Sequence, residues 1–198
     1  MNTPGHAVLN LALLSDLSPH TKLAIFTGAV LPDLPIFGFY VWAKFIDRLP
    51  EKKIWTEAYW QPKIQTWVAI FHSIPLATIG WSISYFLSWE IPQILFLSLL
   101  LHSLEDLPVH HDDAHRHFFP FSNYRFISPF SYWDPKHYGR IVAAIELGLV
   151  LMATVWIGPK ITSFWGWVLL GLANLYYWLG YYRFYLRKYH KHPCEVKD

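Results

Sequence analysis

Five apolar stretches dominate the chain, at residues 22–42, 64–89, 91–107, 141–157 and 161–186. Each is about the ~17–25 residues that a helix needs to cross the hydrocarbon of a bilayer. The breaks between them contain prolines or charges, as helix ends do. Composition agrees: 54% of residues are hydrophobic and only 15% charged, against ~25% charged in an ordinary soluble domain. Eleven Trp, twelve Tyr and fourteen Phe suit a chain whose ends sit in the headgroup layer, where amphipathic rings collect. The expected fold is an all-α integral membrane protein, a single polytopic domain over 1–198, with about five transmembrane helices. A net charge of +2 is too small to imply a nucleic-acid partner. The lone Cys194 excludes an internal disulfide framework. No internal repeat is visible.

A shorter helix precedes the first span. Thr3-Pro4 reads as its start, with Thr3 capping and Pro4 in the first helical position. It ends around 15–19, too short to cross ~30 Å of hydrocarbon, and is expected to be interfacial or re-entrant. The first 21 residues contain no Lys or Arg and the apolar part is brief, so no secretory signal is expected.

Lys and Arg place the loops. They gather in 44–63, in a His/Asp- and aromatic-rich loop at 109–140, and in the C-terminal segment, including a basic tail at 187–198; the turns at 88–92 and 158–162 hold only Lys160. The positive-inside rule makes the basic side, and with it the C-terminus, cytoplasmic.

Polar residues within apolar spans mark functional sites by default, and here they fall at one level. Asp33 sits between Pro32 and Pro35, where the prolines disfavour helix at Leu31 and Leu34 and are expected to open the backbone. His72 lies inside the second span. His102 and Asp106 are four residues apart near the end of the third, so imidazole and carboxylate share one helix face. If the N-terminal helix dips in from the same side, His6 joins them. After the third span, nine of the sixteen residues from His102 to His117 are His, Asp or Glu. The run His110 to His117 either supplies further ligands or partners that orient them, with His110 and His111 among the metal candidates, or is a solvated polar loop. Mixed imidazole and carboxylate donors suit Zn²⁺ first, with Mn²⁺ or Fe²⁺ as alternatives. The absence of nearby Cys excludes a structural zinc finger. Glu146 is either an orienting acid for the site or a partner of Arg140; Asn174 and Ser73 read as packing residues.

Gly5-His6, Leu31-Pro32-Asp33, Phe71-His72-Ser73 and His102-Ser-Leu-Glu-Asp106 together resemble the bacterial membrane-bound metal-dependent hydrolases, a family with a LexA-regulated inner-membrane member. Their order is also similar to that in zinc-dependent phospholipase C. The resemblance covers roughly the first 110 residues. It implies a bacterial inner-membrane hydrolase with His6, Asp33, His72, His102 and Asp106 as ligands. The sequence departs from the family pattern at Pro35 and at 67–69, where two further ligands are expected. Either His110 to His117 replaces them, or fewer ions are bound, or hydrolysis has been lost. On the hydrolase reading Glu105, Asp112 or Asp113 accepts the proton. Arg116, Arg125 and Lys136 hold the phosphate or carboxylate of a lipid-like substrate. The alternative is a non-catalytic protein that binds or handles metal in the membrane.

Overall fold

A computed structural model describes residues 1–17 and 19–183 of the chain. Among these it has nine α-helices and no strand: α1 Thr3–Leu14, α2 Lys22–Val30, α3 Leu34–Val41, α4 Glu51–Thr56, α5 Pro62–Phe71, α6 Ile74–Phe86, α7 Glu90–Asp106, α8 Gly139–Ile157 and α9 Phe164–Tyr181. The tail at 187–198, Cys194 and the end of the fifth apolar stretch lie outside the described residues.

Three helical stretches are long and apolar enough to cross a membrane: Lys22–Ile46, Pro62–Phe86 and Gly139–Lys160. The first joins α2 to α3, and the second joins α5 to α6. Of the five expected spans, α7 has 17 residues and α9 has its Leu and Val interleaved with Trp, Tyr and Asn174. Neither reaches the length and hydropathy of the other three.

Large apolar side chains face outwards while several polar ones are buried. Leu23, Phe37, Phe45, Ile83, Phe86, Val155 and Trp156 are exposed, while His6, Asn10, His72, Ser98, His102 and Asp106 are buried. Water would penalise such a surface; hydrocarbon favours it. Helix α7 is central and packs on α2 and α6, α1 lies against α2, α7 and α8, and α9 covers α8. A Cβ at Gly28 would overlap the Leu95 carbonyl and Ser98, so only glycine lets α2 approach α7 this closely. There Ser98 Oγ donates to the Ile25 carbonyl at 2.6 Å, and Asn10 Nδ2 donates to the Ser98 carbonyl at 2.8 Å. Small and polar groups of this kind join helices where the hydrophobic effect between helices is weak.

The loops sort into two ends. Lys160 pairs with Asp16 at 2.6 Å, Lys22 Nζ donates to the Lys160 carbonyl at 2.9 Å, and His20 meets Glu90 at 2.9 Å. These contacts tie the sparsely charged turns together. At the opposite end Arg125 donates to Gln65 at 2.7 Å and stacks on Trp60, drawing the 107–138 loop onto α5 and the segment before it.

Two local expectations change. Asn2, not Thr3, is the N-cap of α1, and its backbone N–H donates to Glu146 at 2.7 Å. Glu146 also accepts from Tyr177 Oη at 2.9 Å, so its partners are the start of α1 and α9. Leu31 and Leu34, each preceding a proline, are both right-handed helical. The two prolines instead occupy the first turns of a 3₁₀ turn at Leu31–Asp33 and of α3, where their missing N–H groups are not needed. The span tightens at Asp33 without opening.

Candidate metal centre

Three irregularities deliver the site. Asp33 ends the 3₁₀ turn between α2 and α3. His72 is the C-cap that follows Phe71 at the end of α5, and the chain restarts at Ser73, whose hydroxyl caps α6 by accepting from Leu76 N–H at 3.1 Å. His102 and Asp106 occupy the last turns of α7. Ser73 Oγ also donates to the Phe119 carbonyl, and Ile74 N–H to the His117 carbonyl at 2.9 Å, so the loop after α7 is fastened at the α5–α6 break.

Tautomers are set by the backbone. His102 Nδ1 donates to the Ala29 carbonyl at 2.7 Å and His72 Nδ1 to the Val68 carbonyl at 2.9 Å. In each neutral ring Nε2 therefore carries a lone pair. Both Nε2 atoms are buried without a hydrogen-bond partner. His72 Nε2 lies 3.5 Å from Asp33 Oδ1 and 3.7 Å from Asp106 Oδ2; His102 Nε2 lies 3.8 Å and 3.2 Å from the same oxygens. Lone pairs facing carboxylates across these gaps repel unless a cation or proton lies between them. Each of these imidazole-to-carboxylate gaps is near the about 3.3–3.6 Å that separates two donors held at ~2.0–2.2 Å by one tetrahedral zinc.

Around this quartet is a second ring. His6 stacks on His102 with centroids 3.7 Å apart, its Nε2 lies 2.9 Å from Asp106 Oδ1 and its Nδ1 2.7 Å from Glu105. Thr3 Oγ1 donates to Asp33. Asp106 Oδ1 also lies 3.1 Å from His110 Nε2 and 2.6 Å from the Met1 amino nitrogen. His115 sits 4.1 Å from His72 and 4.8 Å from His110 between ring centroids. Three overlapping triads have ligand atoms close enough to share an ion: His6 with His102 and Asp106, Asp33 with His72 and His102, and His72 with Asp106 and His115.

Two of the loop imidazoles, His115 and His117, favour the neutral form. Burial, reinforced by His72, pushes His117 down to about 4 and His115 well below the ordinary histidine value. His117 Nδ1 donates to the His72 carbonyl at 3.2 Å, and its Nε2 is buried without a partner.

The predicted residues thus divide. His6, Asp33, His72, His102, Asp106 and His110 come together. His111 turns away, with Nδ1 on the Ser128 carbonyl, Nε2 3.3 Å from Asp112 and its ring stacked on His137. Glu105 holds His6. Asp113 lies 3.0 Å from His110 Nδ1 and accepts from Trp133 Nε1 at 3.1 Å. Asp112 projects outward with its side chain 71% exposed. Arg116 donates to Asn123 and Thr66, Arg125 to the Ala114 carbonyl and Gln65, and Lys136 is exposed. His115 is the member that individual sequence signals do not single out; only its place in the His-rich run pointed to it.

No protein family, curated protein or solved structure matches the chain. What the residues themselves establish is an all-helical protein with three helices able to cross a membrane and buried His and Asp groups able to hold a metal ion.

Proposed function

We propose that the chain is a membrane-embedded, metal-dependent hydrolase that cleaves an ester or phosphoester of a lipid-like substrate. The reading sets five crossings in a bacterial inner membrane with the basic loops and C-terminus in the cytoplasm. The observation that carries it is the quartet of Asp33, His72, His102 and Asp106, whose imidazole tautomers are fixed so that lone pairs and carboxylates face one small space. Mixed imidazole nitrogen and carboxylate oxygen donors favour zinc. The resemblance of the four motifs to membrane-bound metal-dependent hydrolases supports the same reading.

A surplus of ligands favours chemistry over a purely structural ion. Four donors complete a structural site, whereas His6 and His115 add further imidazoles. A bound divalent ion supplies an activated water and polarises the bond to be cut. The chain supplies the rest. Glu105 holds His6, and His110 lies between Asp106, 3.1 Å from its Nε2, and Asp113, 3.0 Å from its Nδ1, on the side of the loop. Depth supports a lipid-like substrate: by helical rise Asp33 lies about 16 Å from Lys22 and about 20 Å from Ile46.

One observation favours a second reading, passage of a metal ion. Both ligand-bearing spans of the first half are interrupted at the ligands, at Leu31–Asp33 and at His72–Ser73, as in transporters. Purified full-length protein, assayed for metal content and for turnover of phosphodiester and ester lipids, separates the two. Near-stoichiometric metal with turnover, both lost in H102A/D106A, supports hydrolysis. Full metal occupancy without turnover, together with metal flux in liposomes, supports passage.

A further inference from the structure

A second feature lies outside the metal centre. Helices α1, α2 and α9 enclose a groove of about 750 Å³. Its walls include Ala7 and Leu11 of α1, Phe26 of α2, and Leu169, Leu172 and Ala173 of α9. The groove follows α1 from Thr3 to Ser15, about 18 Å by helical rise. That is close to the depth of one leaflet, half of a ~30 Å hydrocarbon core. Its open side is bordered by exposed Leu23 and Trp165, so it is continuous with the apolar outer surface.

The two ends differ in chemistry. One ends at Thr3, the residue that donates to Asp33. The other ends at Lys22, whose ammonium, half-buried at the mouth, makes a single hydrogen bond among the described residues, to the Lys160 carbonyl. Asp16, the nearby acid, is already paired with Lys160. The N-terminus of α9, capped by Ser163, opens at the same place and adds positive potential. A cation at the mouth of a leaflet-deep apolar slot is complementary to a phosphate carrying an acyl chain.

We infer that this groove holds one acyl chain of an anionic phospholipid from the bilayer, with the phosphate at Lys22 and the chain running along α1 towards Thr3. The inference rests on the chain being embedded in a membrane, and neither on metal nor on hydrolysis.

Full-length protein in nanodiscs containing phosphatidylglycerol or phosphatidylcholine, each with a photoreactive group near the end of one acyl chain, tests it. Cross-links mapped by mass spectrometry are expected to concentrate on the groove walls of α1, α2 and α9. Phosphatidylglycerol is expected to label about fivefold more than phosphatidylcholine, the effect of one lysine near the headgroup, and K22A to erase that preference. A173F, which fills the slot, is expected to lower groove labelling by about tenfold while labelling of exposed α6 residues such as Ile83 persists. Cross-links spread evenly over all exposed helices of the unmodified protein would overturn the inference, as would unchanged groove labelling in A173F or equal labelling by the two lipids. Labelling of a neighbouring copy in place of lipid would overturn it too. Metal content of the same samples is read separately, so failure of the metal assignment leaves the lipid result interpretable.

Discussion

The interrupted spans and the unbroken one place their polar groups differently. Lys22–Ile46 and Pro62–Phe86 are each tightened or broken near mid-length, and the residue at each irregularity, Asp33 or His72, points into the centre. Helix α8 runs unbroken from Gly139 to Ile157, and its one buried acid, Glu146, serves the start of α1 and Tyr177. A regular helix uses its own carbonyls. Near these breaks the Ala29, Val68 and His72 carbonyls also accept imidazole N–H groups, Val68 in addition to the His72 backbone N–H at 3.0 Å. Helix irregularity here supplies the groups that orient the ligands.

That contrast can be broken most sharply with carboxyl-to-amide changes. Asp106→Asn is expected to weaken metal affinity at least ~100-fold, the upper range even for groups that only orient ligands, because Asp106 faces His72 and His102 within the quartet and His6 beside it. Glu146→Gln on α8 is expected to leave metal content unchanged. Titration of purified protein against a competing chelator checks both. Equal losses in the two variants would erase the distinction between the regions.

A smaller effect is expected from the helix contact that sets the site's width. Gly28→Ala forces α2 away from α7, at a cost of about 1–3 kcal/mol in stability, with metal content reduced in parallel. Gly148→Ala on α8 meets nothing within 4 Å and is expected to be neutral or slightly stabilising. Thermal unfolding in one detergent compares them.

Below these comes Glu105→Gln. The amide still accepts a hydrogen bond from His6 Nδ1 but loses the charge that strengthens it, and metal affinity is expected to fall by about tenfold. Asn174→Ala, which removes a 2.8 Å bond from α9 to Thr154 of α8, is expected to cost only about 0.6 kcal/mol and to leave metal affinity unchanged. A loss of metal in the Asn174 variant would tie the α8–α9 pair to the site.

Much of this was legible in the sequence because charge inside an apolar run is costly and therefore informative. Asp33, His72, His102 and Asp106 stand out for that reason, and the spacing of the last two fixed their shared face. Periodicity carried the helices but not their fitness to cross a membrane: α7 stops at Asp106, and α9 is diluted by aromatic residues. The 107–138 segment was the least readable. His110 and His111 are neighbours of one type, yet one joins Asp106 and the other stacks on His137. Without a regular repeat, side-chain direction in such a loop is set by tertiary hydrogen bonds. The prolines do not open the span, since Leu31 and Leu34 stay helical when the following proline begins a new turn.

Anomalous diffraction at the zinc edge, from crystals of the full chain purified without chelators, addresses the metal assignment directly. One strong peak is expected among Asp33 Oδ1, Asp106 Oδ2 and the Nε2 atoms of His72 and His102, about 2 Å from each. A map with no peak there at any first-row metal edge, or with its only peak at His111 and His137, would contradict it.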